Sequence, residues 1–351
     1  MHKSLNRACL SMGLLGVVML WPVQGMAEFF IDLGGEFTNN DNLSRAELDL
    51  DTREDTFLAF TANGGYFYQP GDFTSFSLLG KFEANRFDTF DGLDSLTMGI
   101  GGRINHKFGV GDDVPSLDFS VNADRATFDN DVRDAWIYTA SATLSRRLGE
   151  RVLGGIGLSY ETRDGDHDLI AVDDPVGPGP GPSPGPGPSP GPSPGPGPGP
   201  GPGPGPGPGP SPGPSPGPGP GPSPGPAPLP APGDSFSTDS AQLFAFVDVD
   251  LTASSWLSLG YQYADGEVTS TATPTEYIVA ASTAITNDRV FGSGMFAYRL
   301  DAKTHRYNLD WNFAVRETGT FLIGVERQNI EAVGNIDYDV TLFRAGLLFS
   351  F

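Results

Sequence analysis

The sequence predicts an all-β fold, a transmembrane antiparallel up-and-down β-barrel of about 12 strands. Three observations predict it. Segments of roughly ten residues alternate apolar with polar side chains. Clusters of Gly, Asp, Asn and Pro separate those segments, and no amphipathic helix of useful length interrupts them. The chain also ends on an alternating aromatic strand, "TLFRAGLLFSF", where a soluble domain would carry a polar, frayed tail.

Taken in chain order, the first element is an export signal over residues 1–27. Lys3 and Arg7 make a positive start, Leu10 to Leu20 form a short apolar core, and "VQGMA" before Glu28 supplies the small residues of a cleavage site. This core falls short of the roughly 20 residues a spanning helix needs, and no later stretch approaches that length. Cys9, the only cysteine, precedes the apolar core and is therefore a poor lipid-attachment site. The processed chain has no thiol, which excludes disulfides, thiolate catalysis and cysteine metal sites.

Strands are expected over 29–38, 56–68, 74–87, 94–108, 115–128, 134–148, 151–164, 239–252, 255–270, 304–317, 319–331 and 339–351. The clearest alternation sets Tyr307, Leu309, Trp311, Phe313 and Val315 on one face against Asn308, Asp310, Asn312 and Arg316 on the other. The links sort into two kinds. "QPGD", "VGDDVP", "LGER", "TASS" and "ETGT" are tight turns, and the alternate links are longer, acidic and irregular. Short turns at one end with long loops at the other describe a bacterial outer-membrane barrel, which also takes an even strand number. A soluble sandwich alternates too and is the competing fold. "RVFGSGMFAY" reads as a further strand, which would make an odd number, so 272–303 is assigned to an outer loop with room for its own hairpin.

From 177 to 232 proline occupies every even position, with Gly and scattered Ser, Ala and Leu229 between. A glycine at every second place rules out a collagen helix, which needs one at every third. Such a segment neither pairs in a sheet nor buries a core. It reads as a disordered spacer in the extracellular loop between the seventh and eighth strands, with ends on the order of 40 Å apart.

Removing Lys3 and Arg7 from the 21 basic residues leaves 19 against 43 acidic ones. That balance excludes nucleic acid, whose phosphates need a basic footprint. The acids cluster between the apolar segments, as in "DLDTRED", "DGLD", "GVGDD", "DND" and "DGDHDLIAVDD", and the last of these reads as a solvated acidic loop.

In lipid every backbone polar group must be paired within the protein, so a spanning sheet closes on itself and one face of each strand turns to the lumen. Alternation assigns to that face Asp32, Glu36, Lys81, Glu83, Arg103, Lys107, Asp118, Asp124, Arg147, Glu161, Arg163, Asp248, Asp250, Asp310, Arg316, Glu326 and Arg344. Charged walls of mixed sign select permeants in an open pore, or pair with one another and fill a narrow one. Both arrangements suit 12 strands.

Catalysis is not expected. His106 falls on the lipid side near a turn, His167 lies among acids and His305 follows Lys303, so no nucleophile and base share a depth. Asp164, Asp166 and Asp168 are the one candidate divalent-cation set, but an EF-hand spacing starting there would place Leu169 and Pro175 where Gly and Glu belong. No metal or other cofactor is expected.

Two resemblances attach to particular residues. Arg344-Ala-Gly346-Leu-Leu-Phe349-Ser-Phe351 resembles the C-terminal signal of outer-membrane barrels, a polar residue, a glycine two places on, and aromatics at the antepenultimate and final positions. It implies recognition of the last strand by the barrel-insertion machinery. "GGEFTNNDNLSRA", "EDTF" and "FTSFSLLGKFEANRFDTFDGLDSL" together resemble the opening of the β-barrel porins encoded beside exopolysaccharide export genes, with Asp41, Asn42, Arg45, Leu93 and Asp94 in the matching places. This resemblance spans about the first quarter of the processed chain and implies passage or anchoring of a surface polymer.

The resulting expectation is a Gram-negative outer-membrane porin-like barrel for small hydrophilic solutes or a polysaccharide, with loops extracellular and both termini periplasmic. Its partners would be outer-membrane lipid and lipopolysaccharide, the insertion machinery, and a polysaccharide. The alternative is a structural barrel that displays its outer loops for adhesion or matrix interaction.

Overall fold

The computed structural model describes residues 26–111, 113–166, 234–316 and 318–351. Most of the expected signal segment, the proline-glycine segment, His167 and Asp168 lie outside them.

Alternating segments become long strands: β1 (Met26–Asn40), β2 (Asp55–Gln69), β3 (Thr74–Phe87), β4 (Ser95–Lys107), β5 (Ser116–Phe128), β6 (Ala135–Arg147) and β7 (Val152–Gly165). After the undescribed segment come β8 (Thr238–Thr252), β9 (Ser255–Ala272), β10 (Ala284–Asn287), β11 (Phe296–Arg316), β12 (Gly319–Ala332) and β13 (Ile336–Ser350). Among the described residues, helix is confined to α1 (Glu276–Ala281) and single turns over 91–93, 131–133 and 289–291. Each strand pairs antiparallel with its neighbour, β9 pairs directly with β11, and β1 pairs with β13. The result is a closed barrel of 12 strands, with β10 as an extra short strand against the start of β11.

Closure runs to the last residue. The Phe351 N–H donates to the Ile31 carbonyl at 2.8 Å and the Ile31 N–H donates back at 3.1 Å. No free sheet edge is left where the ends meet, as a barrel in lipid requires.

Burial follows the period-two pattern with its sign inverted. Phe29, Leu78, Ile100 and Ile156 are 66%, 63%, 68% and 58% exposed although they lie mid-sheet. A contiguous apolar belt of this size suits hydrocarbon rather than water. Aromatic pairs band the outside, including Trp136 with Tyr138, Tyr261 with Tyr307, and Trp311 with Phe313. His106 is on this face, where its Nδ1 pairs with Thr74 Oγ1 at 2.9 Å.

The barrel has two unlike ends. The end holding both termini carries the turns 70–73, 148–151 and 253–254, together with 108–111, 113–115 and 318. The other, called here the loop end, carries 41–54, 88–94, 129–134, 166, 234–237, 273–295 and 333–335. Two expectations need correction. Residues 296–303, expected as loop, are the first part of β11 and pair with 265–272 of β9. The link between β12 and β13, expected to be long, is the three residues 333–335, with Asn335 at φ +59° and Gly334 at φ +87°. In both places apolar side chains keep the strands paired beyond the barrel rim. Tyr298, Leu300, Ile330, Ile336 and Val340 form a buried cluster with Ile278 of α1 and Ala46 of the first loop.

Candidate functional site

On the strands, the even or odd positions opposite the exposed belt include Asp32, Glu36, Lys81, Glu83, Arg103, Asp118, Asp124, Asp310, Glu326 and Arg344. Many of the sequence-assigned charges meet between adjacent strands or across one intervening strand. Lys81 is 3.6 Å from Asp124, Arg103 Nε 2.5 Å from Asp118, Arg147 3.2 Å from Asp250, and Arg344 2.8 Å from Asp310. Arg344 also reaches Glu326 at 3.8 Å, and Arg306 reaches the same carboxylate at 3.1 Å.

Small residues make room for these side chains. A Cβ on Gly99 would lie 1.7 Å from Asp124 Oδ1, and one on Gly324 would lie 1.9 Å from Asp310 Oδ1. Towards the terminal end the same device seats aromatic rings. A Cβ on Gly157 would come 2.3 Å from Phe244 Cζ, and one on Gly155 2.4 Å from Phe246 Cε1.

A cavity of about 930 Å³ remains inside the barrel. Of the sequence-assigned residues, Glu36, Glu83, Glu161 and Arg163 line it. Hydroxyls and amides fill much of the rest of its wall, among them Thr61, Asn85, Thr97, Ser240, Gln242 and Gln262. Several of these bond to one another, Ser159 to Gln242 at 2.8 Å and Gln262 to Gln242 at 2.5 Å.

Sequence reasoning missed what covers the cavity. Segment 273–295 folds over the loop end and is fastened to four other stretches of chain. Asp51 accepts from Thr273 N–H at 3.0 Å and from Thr273 Oγ1 at 2.6 Å, while Tyr277 Oη donates to Glu47 at 3.0 Å. Phe291 packs on Phe90 with ring centres 5.1 Å apart, beside buried Leu93. Ser235 bonds Thr286 Oγ1 and the Ala297 carbonyl, both at 3.0 Å.

The fourth fastening is an ion pair. Asp288, with a fully buried side chain, accepts from Arg133 Nη2 at 2.5 Å, from Thr271 Oγ1 at 2.8 Å and from Val290 N–H. Arg133 lies over the rings of Phe236 and Phe291, 4.6 and 5.6 Å from their centres. Burial pushes its guanidinium below the usual arginine range, and Asp288 opposes that.

Several carboxylates of the links are withdrawn from solvent. Asp55, Asp94 and Asp288 are buried, and Asp134 is half-buried. Asp94 and Asp134, at the tops of β4 and β6, each accept the N–H of the phenylalanine ending the preceding strand, Phe87 and Phe128, at 2.7 Å. Asp55 accepts from the Thr89 and Phe90 N–H groups at 3.1–3.2 Å. The signal was present in the similar spacing of "FDTFDGLD" and "FDNDVRD". These carboxylates satisfy backbone donors that the sheet ladder leaves over at its rim.

Of the candidate cation set, Asp166 is engaged by the Arg125 guanidinium and its N–H donates to the Asp134 carbonyl. All five residues of the exopolysaccharide-porin resemblance collect at the loop end. Asp41 accepts from Thr341 N–H at 2.6 Å, Asn42 and Leu93 are buried, Asp94 caps, and Arg45 lines the cavity.

No family model matches the sequence, and no curated protein matches it. Among solved structures, an outer-membrane channel of Pseudomonas putida F1 is 9% identical, with 95% of this chain and 97% of that one covered at a TM-score of 0.49. The KdgM porin solved with oligogalacturonate is 8% identical over 91% and 99% of the two chains, at 0.39. The outer-membrane channel DcaP of Acinetobacter baumannii is 8% identical over 93% and 97%, at 0.37.

Proposed function

We propose that this chain is an outer-membrane barrel that passes small hydrophilic solutes or a polysaccharide by diffusion through its lumen. The observation that carries the reading is the division of the wall. The outward face is an apolar belt, and the inward face carries polar side chains on every barrel strand and encloses a cavity of about 930 Å³.

In this reading the termini lie in the periplasm and the loop end faces the medium, with lipid and lipopolysaccharide around the belt. Segment 273–295 narrows the outer opening. Arg344, Gly346, Phe349 and Phe351 serve insertion. Gly346 suits that strand because a Cβ there would come 3.2 Å from the Gly35 carbonyl, where β13 closes on β1.

Purified, folded protein in a planar bilayer is expected to give discrete conductance steps, and no reproducible channel would sink the proposal. Deleting Phe351 is expected to lower the amount reaching the outer membrane. Normal levels of the truncated protein would overturn the insertion role.

A further inference from the structure

Among the described residues, two arginines of the cavity wall have no carboxylate within ion-pair distance. Arg45 sits at φ +54°, in the left-handed region that costs a non-glycine residue of order 1–3 kcal/mol. Buried Asn42 imposes that conformation. Its amide donates to the Ala46 and Asp339 carbonyls at 2.9 and 3.0 Å, and its Oδ1 accepts from Ala46 N–H at 3.0 Å. Ser270 Oγ holds the Arg45 carbonyl at 2.7 Å. The backbone is thus strained and fastened at the residue whose side chain joins the cavity wall. Among the described residues, no carboxylate lies within ion-pair distance of that side chain and nothing hydrogen-bonds it.

Arg163, on β7, lines the same cavity. Its Nη2 donates only to the Arg133 carbonyl, at 2.8 Å, its Nε is buried without a partner, and its Cζ stands 5.5 Å from the centre of the Phe128 ring. Its neighbours differ, since Arg133 is matched by Asp288 and Arg306 by Glu326. Glu161, two residues down β7, and Glu36 and Glu83 on the other wall face the cavity too, but none is within ion-pair distance of Arg45 or Arg163 among the described residues.

We infer that Arg45 and Arg163 form a binding site for an oxyanion, carboxylate or phosphoryl, carried on a hydroxyl-rich solute. A guanidinium offers a planar, two-donor fork that matches such groups. The hydroxyl and amide side chains of Thr97, Thr238, Ser240 and Gln242 line the wall beside it and suit the rest of a polyol, and the cavity is within the roughly 300–1,000 Å³ common for small-ligand sites. The inference rests on the lumen being a solute path, and it names the solute class.

Calorimetric titration of the detergent-folded full chain tests it, with glucuronate, glucose 6-phosphate and glucose as probes. Glucuronate or the phosphate ester is expected to bind and glucose not to, and which of the two binds tighter names the oxyanion. Arg163→Gln and Arg45→Gln are each expected to weaken binding about tenfold or more, the scale of a charge-assisted hydrogen bond. Glu161→Gln removes a nearby acid and is expected to tighten binding, a gain that misfolding cannot imitate. Glucose binding as well as glucuronate, neither acid binding, or both arginine variants titrating like the parent would overturn the site. Binding without channel steps in a bilayer would remove the pore and keep the site, and channel steps without binding would do the reverse.

Discussion

The two ends of this barrel solve the problem of charge in opposite ways. At the terminal end the connections are tight, and the lumen charges meet partners on nearby strands, as Arg147 meets Asp250 and Arg103 meets Asp118. At the loop end, partners come from far apart in the chain. Arg133 and Asp288 are 155 residues apart, and Thr273 and Asp51 are 222. The first arrangement follows from strand register alone. The second follows from folding loops inward over a polar cavity, which buries backbone donors that then need acceptors.

The contrast orders the expected effects of substitution. Asp288→Ala should do most damage, since it leaves Arg133 charged and buried, a loss of about 3–5 kcal/mol in the closure of the mouth. Hydrogen exchange over 289–295 would report it, and retained protection there would show that the ion pair does not hold the segment. Next come lumen glycines beside rings. Gly157→Val drives a Cβ against Phe244 and should cost about 1–3 kcal/mol in urea unfolding. Gly35→Ala, with open space around its Cβ, should stay within about 0.5 kcal/mol.

Rim carboxylates follow. Asp94→Ala deprives the Phe87 N–H of its acceptor and should cost about 1–2 kcal/mol by the same unfolding measurement. An effect near zero would show that this carboxylate is not needed as the acceptor. Arg327→Ala should do less than these, because its pair with Asp339 has both side chains about half exposed, and such a pair contributes under about 1 kcal/mol.

Most of the barrel was legible because one physical rule writes it. A strand between lipid and lumen alternates without exception, so Leu309 against Asp310 or Leu117 against Asp118 fixed strand, face and register parity together. Legibility failed where apolar residues served neither lipid nor lumen. Tyr298 and Leu300 alternate as well as any strand, yet parity arithmetic made 296–303 a loop. The space they fill is created by α1 and the first loop, which local pattern does not reveal.

The candidate site was half legible for the same reason. Arg163 is on a strand and was assigned by alternation. Arg45 and Arg133 belong to loops, where orientation is set by Asn42 and Asp288 and not by period. The acids of "DGLD" and "DND" looked alike in sequence, and their burial depends on which N–H each faces.

The central claim is that the polar face of this barrel is a water-filled path and the apolar face is in lipid. The only cysteine, Cys9, lies in the expected signal segment, so a single introduced thiol reports without background. The measurement is Glu83→Cys and Ile100→Cys protein in bilayers, treated with a charged, water-soluble thiol reagent during current recording. The account predicts modification at residue 83 with a stepwise fall in conductance, and no modification at residue 100. An unreactive residue 83, or modification there with the current unchanged, would contradict it.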